Sequence, residues 1–297
     1  LIGGERALGA ALVLAASAGF GTIPLFARLA FDAGVAPETA TVARFAIAAL
    51  CLSPGLRAAP LHPRPAGLAL ATGLWLGFGV AMWFRALAAL PVATGTMIFY
   101  LFPAFAVAIG WAVFRRAPSA ALLAGAALVL GGAALVVGPA TLADGQTVVV
   151  AAALLAPIGY ALLLNMLAGP LTALPLLARS ATVTLGCTLG ALPAALVAGA
   201  APPLTAGALL AMAALGFVTM VLPGLALAAG AARLGPATGV VGSTELVVAV
   251  SMGWLFLGEP VRGHAVAGVA VMLAGAVLAA MPAPRAAVTG ASGRGSP

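Results

Sequence analysis

Ten runs of about twenty apolar residues follow one another along the chain, separated only by short stretches of Pro, Gly and Arg. A run of that length matches the hydrocarbon thickness of a bilayer, and one run every thirty residues leaves no room for a sizeable soluble domain. Only 6% of the 297 residues are charged and 64% are hydrophobic, which excludes an ordinary soluble globular protein. The runs predict spans near 8–28, 38–56, 67–89, 92–114, 119–138, 147–168, 172–199, 205–230, 237–257 and 264–282. The connections are short, the longest running from Arg57 to Ala66, so the spans must form one compact all-α bundle. From Pro284 the sequence turns small and polar, and residues 285–297 read as a disordered cytoplasmic tail.

The thirteen basic residues are all Arg and, apart from Arg44 and Arg179, sit singly or in pairs at the ends of apolar runs or between them. That spacing is an orientation signal and not a nucleic-acid-binding patch. With a cytoplasmic N-terminus, Arg6, Arg57, Arg64, Arg115, Arg116, Arg233, Arg285 and Arg294 fall inside, against Arg28, Arg85 and Arg262 outside. Both termini are therefore expected in the cytoplasm. Composition rich in Ala, Gly, Pro and Arg without Lys points to a bacterial inner membrane. No small-residue cleavage site follows the first apolar run, which reads as span one.

Enzymatic readings find little support. Cys51 and Cys187 lie in apolar runs without a nearby Cys or His and read as small buried hydrophobes. His62 and His264 are far apart, no Asp-rich or GxSG pattern is present, and no Walker loop signals nucleotide hydrolysis. No metal, cofactor or nucleic-acid partner is expected; a small-molecule substrate and the lipid bilayer are. Oligomeric state is not encoded legibly.

The two halves repeat. Sliding the chain by 143 positions lays Pro103–Phe114 (PAFAVAIGWAVF) on Leu246–Leu257 (LVVAVSMGWLFL), and Gly125–Val137 on Gly268–Ala280. Gly110-Trp111 then meets Gly253-Trp254, informative because Trp occurs four times, and Gly125 and Gly132 meet Gly268 and Gly275. Five spans per copy is odd, so the second copy (144–284) would enter the membrane inverted relative to the first (1–143). Inverted repeats that rock about a midplane site are a common plan of secondary transporters.

With these features the chain resembles the EamA-type branch of the drug/metabolite transporter superfamily. The residues carrying the resemblance are Arg44-Phe45 in span two, Pro103 with Gly110-Trp111 in span four, and in span nine Glu245-Leu-Val-Val-Ala followed by GWLFLGEP (Gly253–Pro260). The resemblance implies ten helices, cytoplasmic termini and movement of small metabolites, often amino acids, usually outward. Two departures stand out. Span four ends Phe114-Arg115-Arg116 where span nine has Leu257-Gly258-Glu259, and Leu246 replaces the proline that often follows the glutamate, which argues against a kink there.

Ionisable residues inside a span normally face a partner, the bundle interior or water. Arg44, Arg179 and Glu245 qualify. At 1.5 Å per residue, Glu245 lies about 12 Å and Arg179 about 10 Å from the cytoplasmic ends of their spans. Matching depths suggest an Arg179–Glu245 pair, with Glu245 as cap of a broken helix a second structural reading. The functional alternative is that Glu245 meets a substrate ammonium or takes a proton in the cycle. Arg44 meets a substrate carboxylate, snorkels, or pairs with Glu38 or Asp32. Trp75, Phe78 and Met82 share one face of span three beside Gly73, Gly77 and Gly79, and supply either a cavity wall or packing. Tyr100 and Tyr160, the only tyrosines, fall in mid-span where a phenol needs a hydrogen-bond partner. Trp111 and Trp254 suit interfacial anchors. Pro24, Pro103, Pro157 and Pro223 each remove a helical hydrogen bond and mark kinks or gating hinges, whereas spans five and ten, with their paired glycines, read as supports.

The expectation is thus a secondary transporter of ten helices exporting neutral or aromatic amino acids by alternating access. An exporter of another metabolite or a cationic drug, and a passive channel, are the alternatives.

Overall fold

A computed structural model describes residues 2–87, 90, 92–138, 146–199, 201, 203–258 and 260–281, and the regular secondary structure among them is entirely helical. Glu259 and the tail expected at 285–297 lie outside the described residues. Among the described residues nine segments are long and apolar enough to cross a membrane: Gly4–Asp32, Pro37–Leu61, Pro63–Ala86, Thr94–Ala112, Ala120–Val137, Thr147–Leu167, Leu176–Ala198, Ala206–Gly242 and Gly263–Ala280. The eighth has 37 residues, about 55 Å of helix against a hydrocarbon core of about 30 Å. It is divided at Gly235, whose φ of +68° ends one helix. Residues 238–242 then continue toward Glu245–Phe256 as a separate, ninth span, and Gly263–Ala280 becomes the tenth.

Contacts at the ends of the bundle require this even count. Arg6, in the first turns of span one, donates from Nε to the carbonyl of Ala280 at 2.9 Å and from Nη2 to those of Ala279 and Met281, capping the C-terminal end of span ten. Arg233, at the end of span eight, pairs with Glu5 at 3.0 Å. The start of span one and the ends of spans eight and ten therefore share one face, called here the N-terminal side. Cationic side chains at the exposed carbonyl ends of helices also offset the helix dipole.

Several boundaries differ from the sequence reading. Span two ends at Leu52, and the supposed loop beyond it is largely a 3-10 helix, Ser53–Leu61. Span seven starts at Leu176, after a separate 3-10 turn at Pro170–Ala173. Cys51 is exposed on the outside of the bundle, a correction to its reading as buried; Cys187 is buried. An outward residue of a spanning helix faces lipid tails, so Cys51 needs no core to be accommodated.

Spans five and ten pack directly on one another. A Cβ at Gly132 would stand 2.6 Å from the Gly268 carbonyl oxygen, and one at Gly125 would stand 2.7 Å from that of Gly275, so only glycine permits the approach. Spans three and seven are joined the same way, a Cβ on Gly186 falling 2.9 Å from the Gly73 Cα. These seams need no amphipathic contrast, since lipid tails are as apolar as the protein faces they replace.

Most of the remaining spans are broken. Span one stops at Gly21 and resumes at Ile23, with Pro24 in the first turn of the new helix. Span four breaks between Phe99 and Phe102, just before Pro103, and span six breaks at Leu154, before Pro157. In span eight the interruption is a π-helical turn, Phe217–Val221, before Pro223. Each follows from the missing proline N–H and the clash of its ring with the carbonyl four residues earlier. Span nine breaks without proline. Its helices end at Gly242 and restart at Glu245, while Ser243 Oγ donates to Val240 O at 2.5 Å and Thr244 Oγ1 to Val241 O at 2.8 Å. Ser17 of span one donates to the Gly242 carbonyl at 2.9 Å. Hydroxyls therefore supply the interruption that Leu246 was expected to abolish.

Candidate functional site

The breaks of spans one, four and nine meet at a cavity of about 290 Å³ in the middle of the bundle. Phe20, Gly21, Ile23 and Pro24 from span one, Thr96, Phe99 and Tyr100 from span four, and Glu245, Leu246 and Ala249 from span nine contribute to its wall. Spans two, three, six, seven and eight complete it, whereas five and ten contribute nothing. Close approach at the crossing of spans one and nine depends on Gly21, where a Cβ would lie 2.7 Å from the Glu245 carbonyl oxygen.

Two opposite charges face this space. Glu245 opens the second half of span nine and is 7% exposed, and Arg44 comes from span two. Arg44 is the charged side chain whose field reaches Glu245. Among the described residues the two form no ion pair, and neither side chain has a hydrogen-bond partner. Arg44 lays its guanidinium over the Phe45 ring, 4.8 Å from the centroid. Its Nε is buried and unpartnered.

The expected Arg179–Glu245 pair does not form. Arg179 Nη2 donates instead to the Ala228 carbonyl at 2.6 Å. Depth supplies one coordinate of three, and Arg179 points to span eight while Glu245 points to the cavity. Nor does Arg44 pair with Asp32, which binds Arg28 at 3.0 Å, or with Glu38. Glu245 lies in the first turn of its half-helix, where the dipole favours a carboxylate, but makes no capping hydrogen bond.

An aromatic wall stands beside the charges. Tyr160 stacks on Phe99 at 6.0 Å between centroids and meets Phe102 edge-on at 4.8 Å; Tyr100 lies edge-on to Phe99 at 5.7 Å. Both tyrosines line the cavity, and among the described residues neither phenolic oxygen has a hydrogen-bond partner. Trp83 packs on Phe99 at 5.4 Å, with its indole Nε1 donating to the Gly95 carbonyl at 2.9 Å.

Span three presents a different face from the one expected. Trp75 and Phe78 are 46% and 45% exposed on the outside of the bundle, and Met82 is not among the lining residues. Leu76, Val80, Trp83 and Phe84 line the cavity in their place. Gly73 and Gly77 turn toward span seven. At about 100° per residue, Trp75, Phe78 and Met82 lie opposite those glycines. The glycines were the signal that would have identified the inward face. Trp83, Phe84, Phe99, Phe102 and Ser180 are the lining or adjoining residues that the sequence reading missed.

Of the four mid-span prolines, Pro24 lines the cavity, Pro103 and Pro223 lie at breaks whose neighbours Tyr100, Met220 and Gly224 do, and Pro157 lies one turn before the lining Tyr160. Trp111 is exposed near the end of span four and Trp254 is half-buried near the end of span nine. Among the described residues no three His, Cys, Asp or Glu side chains gather to hold a metal ion.

Residues 7–138 match the EamA-like transporter family. A solved crystal structure, titled only as that of a protein, superposes with a TM-score of 0.75 at 19% identity, covering 91% of this chain and 96% of that one. At this identity the likeness is one of fold. No curated protein sequence matches the chain.

Proposed function

We propose that this multi-pass membrane protein, whose residues 7–138 match the EamA-like transporter family, is a secondary transporter exporting neutral or aromatic amino acids by alternating access. The observation that carries the reading is the unpaired state of Arg44 and Glu245. A buried Glu245 and a half-buried Arg44 that line one cavity without binding each other leave room for a solute bearing both complements. A zwitterion fits, with its carboxylate on Arg44 and its ammonium on Glu245. Its side chain then meets Trp83, Phe99, Tyr100 and Tyr160. A second full charge on the solute would enter this apolar wall unpaired, which is costly.

The cycle we propose rests on two inverted repeats, 1–143 and 144–284, rocking about this site in a bacterial inner membrane with both termini cytoplasmic. Positions 143 apart support the repeat. Tyr100 and Ser243 occupy the corresponding breaks of spans four and nine. Arg115 and Gly258, at the ends of those spans, both have left-handed backbone, with φ of +55° and +69°. The breaks near Pro24, Pro103, Pro157 and Pro223 serve as hinges, since a helix already missing hydrogen bonds bends with little further loss.

Counterflow in proteoliposomes tests the proposal. Preloaded phenylalanine, tryptophan, methionine or threonine should accelerate uptake of the labelled amino acid, and aspartate or lysine should not. Flux without trans-acceleration would indicate a channel. Exchange of a quaternary cation or nucleotide sugar, with no neutral amino acid exchanged, would discard the substrate assignment.

A further inference from the structure

On the N-terminal side of Arg44 lies a second group of polar atoms that the fold does not satisfy. Arg179 and Ser180 stand early in span seven and are buried, at 6% and 5% exposure. Arg179 commits one nitrogen to the Ala228 carbonyl, but its Nε has no partner. The Ser180 hydroxyl has none either. A buried donor without an acceptor is costly, so two on consecutive residues call for an explanation outside the fold's own hydrogen bonding.

Their surroundings point to an anion. Ser180 and Ala228 line the cavity, so Arg179 sits directly behind its wall, bonded to one lining residue and next in sequence to another. The charged neighbour felt by Arg179 is another cation, Arg233, and that residue already has Glu5 as its partner. Span seven starts, and span eight ends, on the N-terminal side, so this group lies between that side and Arg44. Thr184, one turn further along span seven, also lines the cavity, but its hydroxyl is engaged with the carbonyls of Ser180 and Ala181 at 3.0 Å.

We propose that Arg179 and Ser180 form a second station for the carboxylate of the transported solute, occupied on the path between the N-terminal side and the deeper Arg44. This inference rests on the reading of the cargo as a carboxylate-bearing zwitterion. A guanidinium Nε–H and a hydroxyl are suited to one carboxylate group, and charge-assisted bonds to it would satisfy both donors at once. The station would let the carboxylate leave Arg44 without crossing apolar wall unpaired.

The test is counterflow with phenylalanine, presented separately at each face of oriented vesicles, for the wild type, Ser180→Ala and Arg179→Gln. Half-saturation at the N-terminal face should rise about threefold for Ser180→Ala and about tenfold for Arg179→Gln, with the opposite face unchanged within twofold. Ser180→Ala keeps the proposal testable if Arg179→Gln fails to fold. An equal rise at both faces, or none in Ser180→Ala, would overturn it and leave Arg179 as a residue that only fastens span seven to span eight. If the wild type exchanges no neutral amino acid, the amino-acid reading fails by itself. Phenylpropionate, a carboxylate without an amine, then decides the station. Thermal stabilisation of the wild type and not of Ser180→Ala sustains it, and equal or absent stabilisation of both overturns it.

Discussion

Replacing Glu245 by Gln separates a transport residue from a structural one, because the two roles predict opposite patterns. The substitution keeps shape and removes charge. The Glu245 carboxylate accepts no hydrogen bond among the described residues and forms no ion pair, so no bond within the protein is lost. The melting temperature of the detergent-solubilised protein should stay within about 3 °C of the wild type, the shift expected of a change below 1 kcal/mol. With the proposed zwitterion bound, the expected loss is one charge-assisted contact to its ammonium group. A hydrogen bond to a charged partner contributes about 1.5–3 kcal/mol, which at 1.4 kcal/mol per tenfold corresponds to a weakening of roughly 10- to 150-fold.

Equilibrium binding of labelled phenylalanine, paired with a thermal melt of the same preparation, measures both quantities. Wild-type affinity combined with a melting temperature lowered by several degrees would refute the argument, since Glu245 would then be holding the fold. Glu259 serves as comparator. It lies outside the described residues, and its place in the sequence, at the end of span nine beside Arg262, predicts a milder effect for Glu259→Gln.

Trp83→Ala should change the ranking of neutral amino acids in counterflow, whereas Trp75→Ala, on the outer surface, should leave the ranking as it is; the reverse result would restore the original face of span three. Gly132→Val places a side chain against the Gly268 backbone between the two supporting spans and should cost about 1–3 kcal/mol by overpacking, read as a lower melting temperature with affinity for phenylalanine retained. Cysteines introduced at His62 and Arg262, in a Cys51→Ala, Cys187→Ala background, should be labelled from the cytoplasmic and the outer face respectively, and the opposite pattern would invert the proposed orientation.

The spans were legible because a bilayer demands about twenty apolar residues, a requirement written directly into the sequence. Arg44 and Glu245 were legible for the complementary reason, since a charge that survives in such a run must be used or paired. Facing was not legible from hydropathy. In a soluble helix the polar side reveals the inward side by contrast, but around span three both lipid and cavity accept aromatic residues. Trp75 and Trp83 are indistinguishable by that criterion. The packing of Gly73 and Gly77 against span seven fixes the rotation of the helix, and it turns Trp83 inward. The pairing inferred for Arg179 and Glu245 failed for a related reason: equal depth leaves both the azimuth of each side chain and the placement of its helix undetermined.

The break in span nine connects these points to the site. Sequence reading attaches kinks to prolines, and four of the breaks obey it. Glu245 is delivered to the cavity by the one break that does not, where Ser243 and Thr244 bond back to the preceding turn and Ser17 takes the Gly242 carbonyl. Phe102, 143 positions earlier, opens the second half of span four in the corresponding place. Phe102 contributes to the aromatic wall through Tyr160, while Glu245 contributes charge. One half of the chain thus brings an apolar residue to its break and the other an acidic one. A site built from two such breaks is apolar on one side and charged on the other, the polarity that an amino acid with an uncharged side chain carries between its backbone groups and its side chain.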